Sequence, residues 1–423
     1  MLSKYLDYTK TYNSLLILIS LLLPFTEYFS TQFTSIAIIL LLVSWLLLND
    51  FSILIDRLKA EKIIFLFLIF YLINIQGLFR EANNVYTEKV LIKKLSLFIL
   101  PLIIGTSPSL KYSFVLKVMA AFIISLFLSS LFTYINGIDK FVTTPEGLNN
   151  LSGKIIIHRP YFGFFCAFSI ISLIVIYLKK YNNLLHIGII VLIIYYLFFI
   201  ALVQAKMSFI ALVLCAITLF YIWLLLKRRY LVIILSFILI LAGLGRIYQS
   251  SSTVKTYVNN IINRKGFSYT DYNILVVGSI NVRYVNWGCA FSILNEKRNW
   301  LYGVGAGNAQ PKLQECYNRT NSWVYSLKMN SHNQIIEETL YNGIIGLALF
   351  MGIIFLPGFV SYKRKNFFHL AFLTLFFFCC ITESILSRQI GIVFFAFFNS
   401  ILYFNYNNIT KKIQFYEQKD CLS

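Results

Sequence analysis

The sequence predicts an all-α, polytopic membrane protein with about twelve transmembrane helices and one large loop on the outer face. Three observations carry this. Of 423 residues, 58% are hydrophobic and only 13% are charged, where an average soluble domain has about 25% charged residues. Apolar runs of nearly twenty residues recur along the chain, the length a helix needs to cross hydrocarbon with its backbone satisfied internally. The basic residues gather in the short connections between those runs.

The runs fall at residues 12–28, 33–48, 63–79, 90–104, 114–135, 161–178, 184–203, 207–226, 230–244, 340–360, 367–385 and 391–404. The first lacks the short apolar core and cleavage site of a removable signal, so it reads as a retained span. A net charge of +20 suits nucleic acid in a soluble protein, but here its placement points to membrane lipid instead, and no nucleic-acid partner is expected. Arg57-Leu58-Lys59, Lys179-Lys180, Lys227-Arg228-Arg229, Lys363-Arg364-Lys365 and Lys411-Lys412 all fall on the cytoplasmic side if there are twelve spans and both ends are inside. One helix more or fewer would put the later clusters on the wrong side.

The expected organisation follows: an N-terminal transmembrane bundle over 1–244, a large outer loop over 245–339, C-terminal transmembrane helices over 340–405, and a cytoplasmic tail over 406–423. A smaller outer loop covers 136–160. Loops of this length beside a compact domain are usually functional. Cys289 and Cys316 share the large loop, where a disulfide is chemically possible and two free thiols are equally compatible. The chain shows no zinc-ligand spacing, Walker loop or dinucleotide fingerprint, so neither a metal nor a nucleotide cofactor is expected.

The candidate chemistry lies on the outer face. Ser331-His332-Asn333-Gln334 opens the run that continues to Pro357, and imidazole is the side chain whose ordinary pKa lies nearest neutrality. His332 at a water–lipid boundary is a candidate general base or, more plainly, a helix cap. Glu337 is the nearby carboxylate that could orient it. Residues 282–294 place Tyr284, Trp287, Ala290, Phe291 and Leu294 at helical spacing behind Arg283, whose planar guanidinium suits phosphate oxygens. Gly303, Gly305 and Gly307 make either a tight turn or an approach for backbone amides to an anion. Lys206 opens a span and either snorkels or meets a phosphate. His158-Arg159-Pro160-Tyr161-Phe162-Gly163 marks another span entrance, with Arg159 a second candidate cation and His158 and Tyr161 in supporting positions. Glu383 and Arg388 bracket the last outer connection and are expected to pair structurally. His186 and His369 begin spans on the inner side.

In this order, the residues resemble the O-antigen ligase and O-antigen polymerase superfamily of bacterial membrane glycan transferases. Ser331-His332-Asn333-Gln334-Ile335-Ile336-Glu337 with Gly343-Ile344-Ile345-Gly346 is similar to that family's histidine–asparagine signature. Gly303-Val304-Gly305-Ala306-Gly307-Asn308 resembles its glycine-rich turn, and Arg283 falls where the family has an arginine ahead of an aromatic helix. The family commonly has arginine where this chain has Lys206, which keeps the charge but loses the bidentate fork. The 158–163 pattern, with Glu383 and Arg388, resembles a Bacteroidetes-type subgroup more than the enterobacterial ligases.

The resemblance implies a fold related to the GT-C membrane glycosyltransferases, in the bacterial inner membrane with the active site facing the periplasm. It implies an undecaprenyl-diphosphate-linked glycan as donor, a sugar hydroxyl of lipid A-core or of another glycan as acceptor, and no metal or nucleotide. His332 and Asn333 would be catalytic, with Arg283, Lys206 and Arg159 on the diphosphate. Three functions remain open: a ligase that moves polysaccharide onto lipid A-core, a polymerase that joins lipid-linked repeat units, and a transporter or flippase. A transporter would show internal repeats and ionisable groups deep within its spans, whereas the polar residues of this sequence gather at one face.

Overall fold

The computed structural model describes residues 2–49, 51–79, 84–143, 158–178, 183–252, 255, 259, 279–296, 298–319, 325 and 328–405. Lys179-Lys180, Lys411-Lys412, the 406–423 tail, and much of the two expected outer loops lie outside them. Every described element is helical, and no strand occurs among the described residues.

Among the described residues, eight helices are long and apolar enough to cross a bilayer, or nine if Leu54–Ala60 and Ile63–Phe79, bent by 89°, form one span. Phe367–Cys380 and Gln389–Phe404 are shorter apolar helices. Tyr230–Ser250 leaves Leu231, Ile234, Leu235, Ile238 and Leu239 exposed along its length. An exposed apolar helix of this kind suits lipid, which competes with none of its backbone bonds.

Two expected spans are built differently. The run at 90–104 is divided into Asn84–Lys94 and Ser96–Thr106, with Lys94 at the junction. The run expected at 340–360 is the Gln334–Lys363 helix, which begins six residues earlier and is kinked at Gly343, φ +64°. The expected helix at 282–294 is present as Ser279–Asn295.

Two hydrophobic cores form among the described residues. The larger is a stack of phenylalanines between spans: Phe165 and Phe394 lie 4.3 Å apart by ring centroid, and Phe376 and Phe395 lie 4.0 Å apart. Parallel and offset stacks of this kind add to simple burial of apolar area. The smaller core holds Cys289, Leu294, Leu313, Tyr317 and Leu340, where Ser279–Asn295 and Ala306–Arg319 pack on the start of Gln334–Lys363. Cys289 and Cys316 form a disulfide across it, Cα–Cα 5.8 Å.

Candidate active site

Asn333 caps the Gln334–Lys363 helix. Its side-chain oxygen accepts from the amides of Ile335 and Ile336 at 2.9 and 3.2 Å, filling two donors that a helix start leaves open. The turn before it is tight. His332 has φ +48°, a left-handed conformation that histidine tolerates better than most side chains.

Bonds from four directions fix that turn. His332 N donates to Asn330 Oδ1 at 3.1 Å, and Asn333 N donates to Ser384 Oγ at 3.2 Å. Trp287 Nε1 donates to Ser331 O at 3.1 Å, and Asn330 Nδ2 donates to Ser387 Oγ at 3.2 Å. Ser331 donates to Glu337 through its hydroxyl at 2.5 Å and its amide at 3.1 Å. Glu337 therefore anchors the turn through Ser331, and the carboxylate beside the imidazole is a different one.

That carboxylate is Glu383, whose Oε2 lies 3.2 Å from His332 Nδ1. The expected Glu383–Arg388 pair does not form. Arg388 Nη1 reaches Glu27 Oε1 at 3.0 Å, from the N-terminal part of the chain, and leaves Glu383 to the histidine. Burial pushes the Glu383 carboxyl up, but the His332 hydrogen bond and charge, with His158 and Arg283, outweigh it and hold the group below the ordinary carboxylate value. In the neutral tautomer that directs Nδ1–H at this carboxylate the lone pair lies on Nε2, which has no hydrogen-bond partner among the described residues. The His332 side chain is 21% exposed and that of Glu383 9%.

Arg283 and His158 act on this pair. Arg283 Nε and Nη2 donate to Thr382 O at 3.4 and 3.2 Å, one residue before Glu383. Burial pulls the Arg283 pKa down, and the Glu383 charge opposes that. His158 is held neutral-leaning by burial and by Arg388, against the pull of Glu383 and Glu27. Its amide donates to Glu27 Oε2 at 2.9 Å, and its buried Nδ1 has no partner among the described residues. Tyr161 OH lies 3.2 Å from both Ser384 O and Ile385 O, holding the Glu383 loop from the other side.

Arg159 and Lys206 are the first residues of adjacent helices, Arg159–Tyr177 and Lys206–Leu226. The two helix starts touch at Gly163, where a β-carbon would lie 2.5 Å from Ala205 Cβ and from Ser208 Oγ. Arg159 is half-buried and Lys206 exposed. Through Tyr161 this end of the bundle adjoins the Glu383 loop. Neither cation makes a hydrogen bond or ion pair to the His332 cluster among the described residues.

The glycine-rich turn has a structural partner. Val304 N donates to Leu340 O at 2.7 Å and Gly305 N to Tyr341 O at 3.1 Å, carbonyls that the kink at Gly343 leaves without helical partners. Those two amides are thereby occupied, and the tight-turn reading of the motif is the one that fits. His369 lies elsewhere, buried between Ser361 Oγ at 2.7 Å and Asn399 Oδ1 at 2.8 Å.

Sequence reasoning missed the partner of His332 and a buried network beneath it. Lys94 Nζ donates to Glu338 Oε1 and Oε2 at 2.7 and 2.9 Å and to Asn74 Oδ1 at 3.0 Å. Asn342 Nδ2 donates to the same Asn74 oxygen at 3.1 Å, and Gln76 Nε2 to Asn342 Oδ1 at 2.9 Å. The available signal was Glu383 itself, a carboxylate beside two apolar runs, where ionisable groups are costly to keep.

In comparisons with known proteins, residues 191–351 match the family model described as O-antigen ligase. The matched stretch holds Lys206, Arg283, the glycine turn, His332 and Gly343, and leaves out Arg159, Tyr161 and Glu383. A search of curated proteins found no match.

Proposed function

We propose that this multi-helix membrane chain, whose residues 191–351 match the O-antigen ligase family model, moves a glycan from an undecaprenyl-diphosphate-linked donor to a sugar hydroxyl of lipid A-core at the periplasmic face of the inner membrane. The observation that carries this reading is the His332 Nδ1–Glu383 contact at 3.2 Å, with no partner on Nε2 among the described residues.

The chemistry follows from that arrangement. An acceptor hydroxyl is a weak nucleophile until its proton is removed, and His332 Nε2 takes that proton. The acceptor oxygen forms its bond to the anomeric carbon of the donor, and the bond from that carbon to the phosphate oxygen breaks. The diphosphate leaves with the electron pair. Glu383 stabilises the imidazolium that forms, as a carboxylate behind a base does. Arg283 answers the charge that develops on the leaving group, and its partial desolvation strengthens that interaction. Lys206 and Arg159, at the neighbouring helix starts, extend the cationic surface along the diphosphate path. Asn333 serves by fixing the turn that aims His332.

The Cys289–Cys316 disulfide, in the unit that carries Arg283, supports an oxidising compartment for this end of the bundle. The test is a deletion strain examined by lipopolysaccharide gel and by extraction of lipid-linked glycan. Bare core with accumulated lipid-linked polymer is the expected result. Lipopolysaccharide carrying a single repeat would instead assign polymerase activity, and an unchanged profile would remove the transfer reading.

A further inference from the structure

The Lys94 ammonium has three N–H groups and uses all of them on buried acceptors, two on Glu338 and one on Asn74. Glu338 Oε1 accepts a second bond, from Gln334 Nε2 at 2.9 Å. Gln334 then presents its carbonyl oxygen to Leu386 N at 2.6 Å. Lys94, Glu338, Gln334 and Leu386 are all buried. Leu386 lies three residues after Glu383, in the 3-10 turn Ile385–Ser387.

The polarity of this chain of bonds is fixed at its far end. A carboxylate only accepts hydrogen bonds, so Glu338 obliges Gln334 to turn its NH2 inward. The carbonyl of the same amide is thereby aimed at Leu386 N. Lys94 supplies the counter-charge that lets a carboxylate sit in this dry position. Tyr161 holds the same loop through the carbonyls of Ser384 and Ile385, and Gln334 holds it through an amide. The loop that carries Glu383 is thus clamped on both sides, and one clamp starts at Lys94.

We propose that Lys94 is a positioning residue for the His332–Glu383 pair, acting through Glu338 and Gln334 on the Glu383 loop. This rests on that pair being the working dyad of the proposed transferase. Lys94 touches no reacting atom, and its effect is on where the Glu383 carboxylate stands relative to Nδ1. A misplacement of about 1 Å at a reacting centre costs about 100-fold in rate.

The test uses purified full-length protein in nanodiscs with lipid-linked glycan donor and sugar acceptor, comparing wild type with Lys94→Met, Gln334→Met and Glu383→Gln, and with each of the first two combined with Glu383→Gln. Lys94→Met strands the Glu338 charge and is exposed to misfolding, whereas Gln334→Met breaks the next link without stranding a charge. The expected result for both is a kcat lower by about 10- to 100-fold with the donor KM within about twofold. Neither should lower kcat further once Glu383 is already glutamine. Well-folded Gln334→Met protein with wild-type kcat would overturn the proposal, as would losses that multiply with that of Glu383→Gln. The same cycles read by thermal unfolding need no substrate. Non-additive shifts in midpoint together with an inactive wild type would uphold the link and reject the donor assignment. Additive shifts would reject the link whatever the substrate.

Discussion

Gly303 and Gly343 dock reciprocally, each against the backbone just before the other, and neither leaves room for a β-carbon. One added at Gly343 would lie 2.2 Å from Leu301 O, and one added at Gly303 would lie 2.5 Å from Tyr341 C and O. Both have positive φ, +64° and +70°. The contact docks the glycine turn on the kink that separates the His332 end of the helix from its apolar length.

Gly343→Ala should therefore destabilise the protein by about 1–3 kcal/mol through backbone strain, before any clash is counted. Gly352→Ala and Gly358→Ala, in the same helix, are the controls. Their β-carbons would meet Leu66 and Leu373 side chains at 3.5 and 3.6 Å, ordinary contact distances, and alanine favours a helix by about 1 kcal/mol over glycine. Thermal midpoints in detergent would decide it. Equal midpoints for Gly343→Ala and the controls would mean that the docking contact is not fixed in solution.

His332→Ala should leave a folded, membrane-inserted protein that still binds donor and loses about 10²–10⁴-fold in turnover, the range general-base catalysis supplies. His332→Gln distinguishes base from cap. Glutamine can cap or hydrogen-bond, but it cannot take a proton, so near-normal turnover by this variant rules out the base role.

Arg283→Ala should abolish or severely reduce transfer, and Arg283→Lys should recover only part of it, because a point charge does not replace a fork. Lys206→Ala should also impair transfer, while Lys206→Arg should be tolerated. Polymer display by strains with matched protein levels measures both. Normal display with Arg283→Ala would remove its phosphate role.

Glu383 gives a pH signature. Its carboxyl is depressed below the ordinary 4.5, so the folded state favours the charged form more than the unfolded state does. The stability this adds is complete above the ordinary value and is lost as pH falls through the lower folded value. The difference in midpoint between wild type and Glu383→Gln should therefore be constant near neutrality and shrink below pH 4.5. A difference that grows as pH falls through that window would mean the carboxyl is not stabilised as an anion. The same variant should lose turnover at neutral pH, where His332 lacks its counter-charge.

Sidedness is open to direct measurement. Both termini and the Lys227–Arg229 connection are expected in the cytoplasm, and the 245–339 region outside it. A cysteine placed at Lys255 should label in intact spheroplasts. Labelling only after the inner membrane is permeabilised would overturn the topology and the site assignment together.

The parts of this fold legible in the sequence are those that lipid dictates. Runs such as 184–203 and 207–226 are apolar on every side and read directly as helices. The aromatic spacing after Arg283 likewise gave its helix, and His332 stood out by its chemistry. What was hidden depends on contacts between distant segments. Glu383 meets His332 across 51 residues, with no local pattern to link them. Nearness along the chain favoured Arg388, which instead reaches back to Glu27. Lys94 sits in a Lys93-Lys94 doublet that looks like a surface charge run, and only its burial reveals otherwise. Glu337 and Glu338 are neighbours in sequence with separate partners, Ser331 and Lys94, because successive helix positions point about 100° apart.

The Lys94–Glu338 pair also sets an order of assembly. Glu338 lies 244 residues beyond Lys94, so the ribosome delivers the ammonium long before its carboxylate exists. A buried ammonium without its counter-charge is costly, and Lys94 stands at the junction of two helices of 11 residues each. The pair that closes this junction can form only once the second half of the chain has been made.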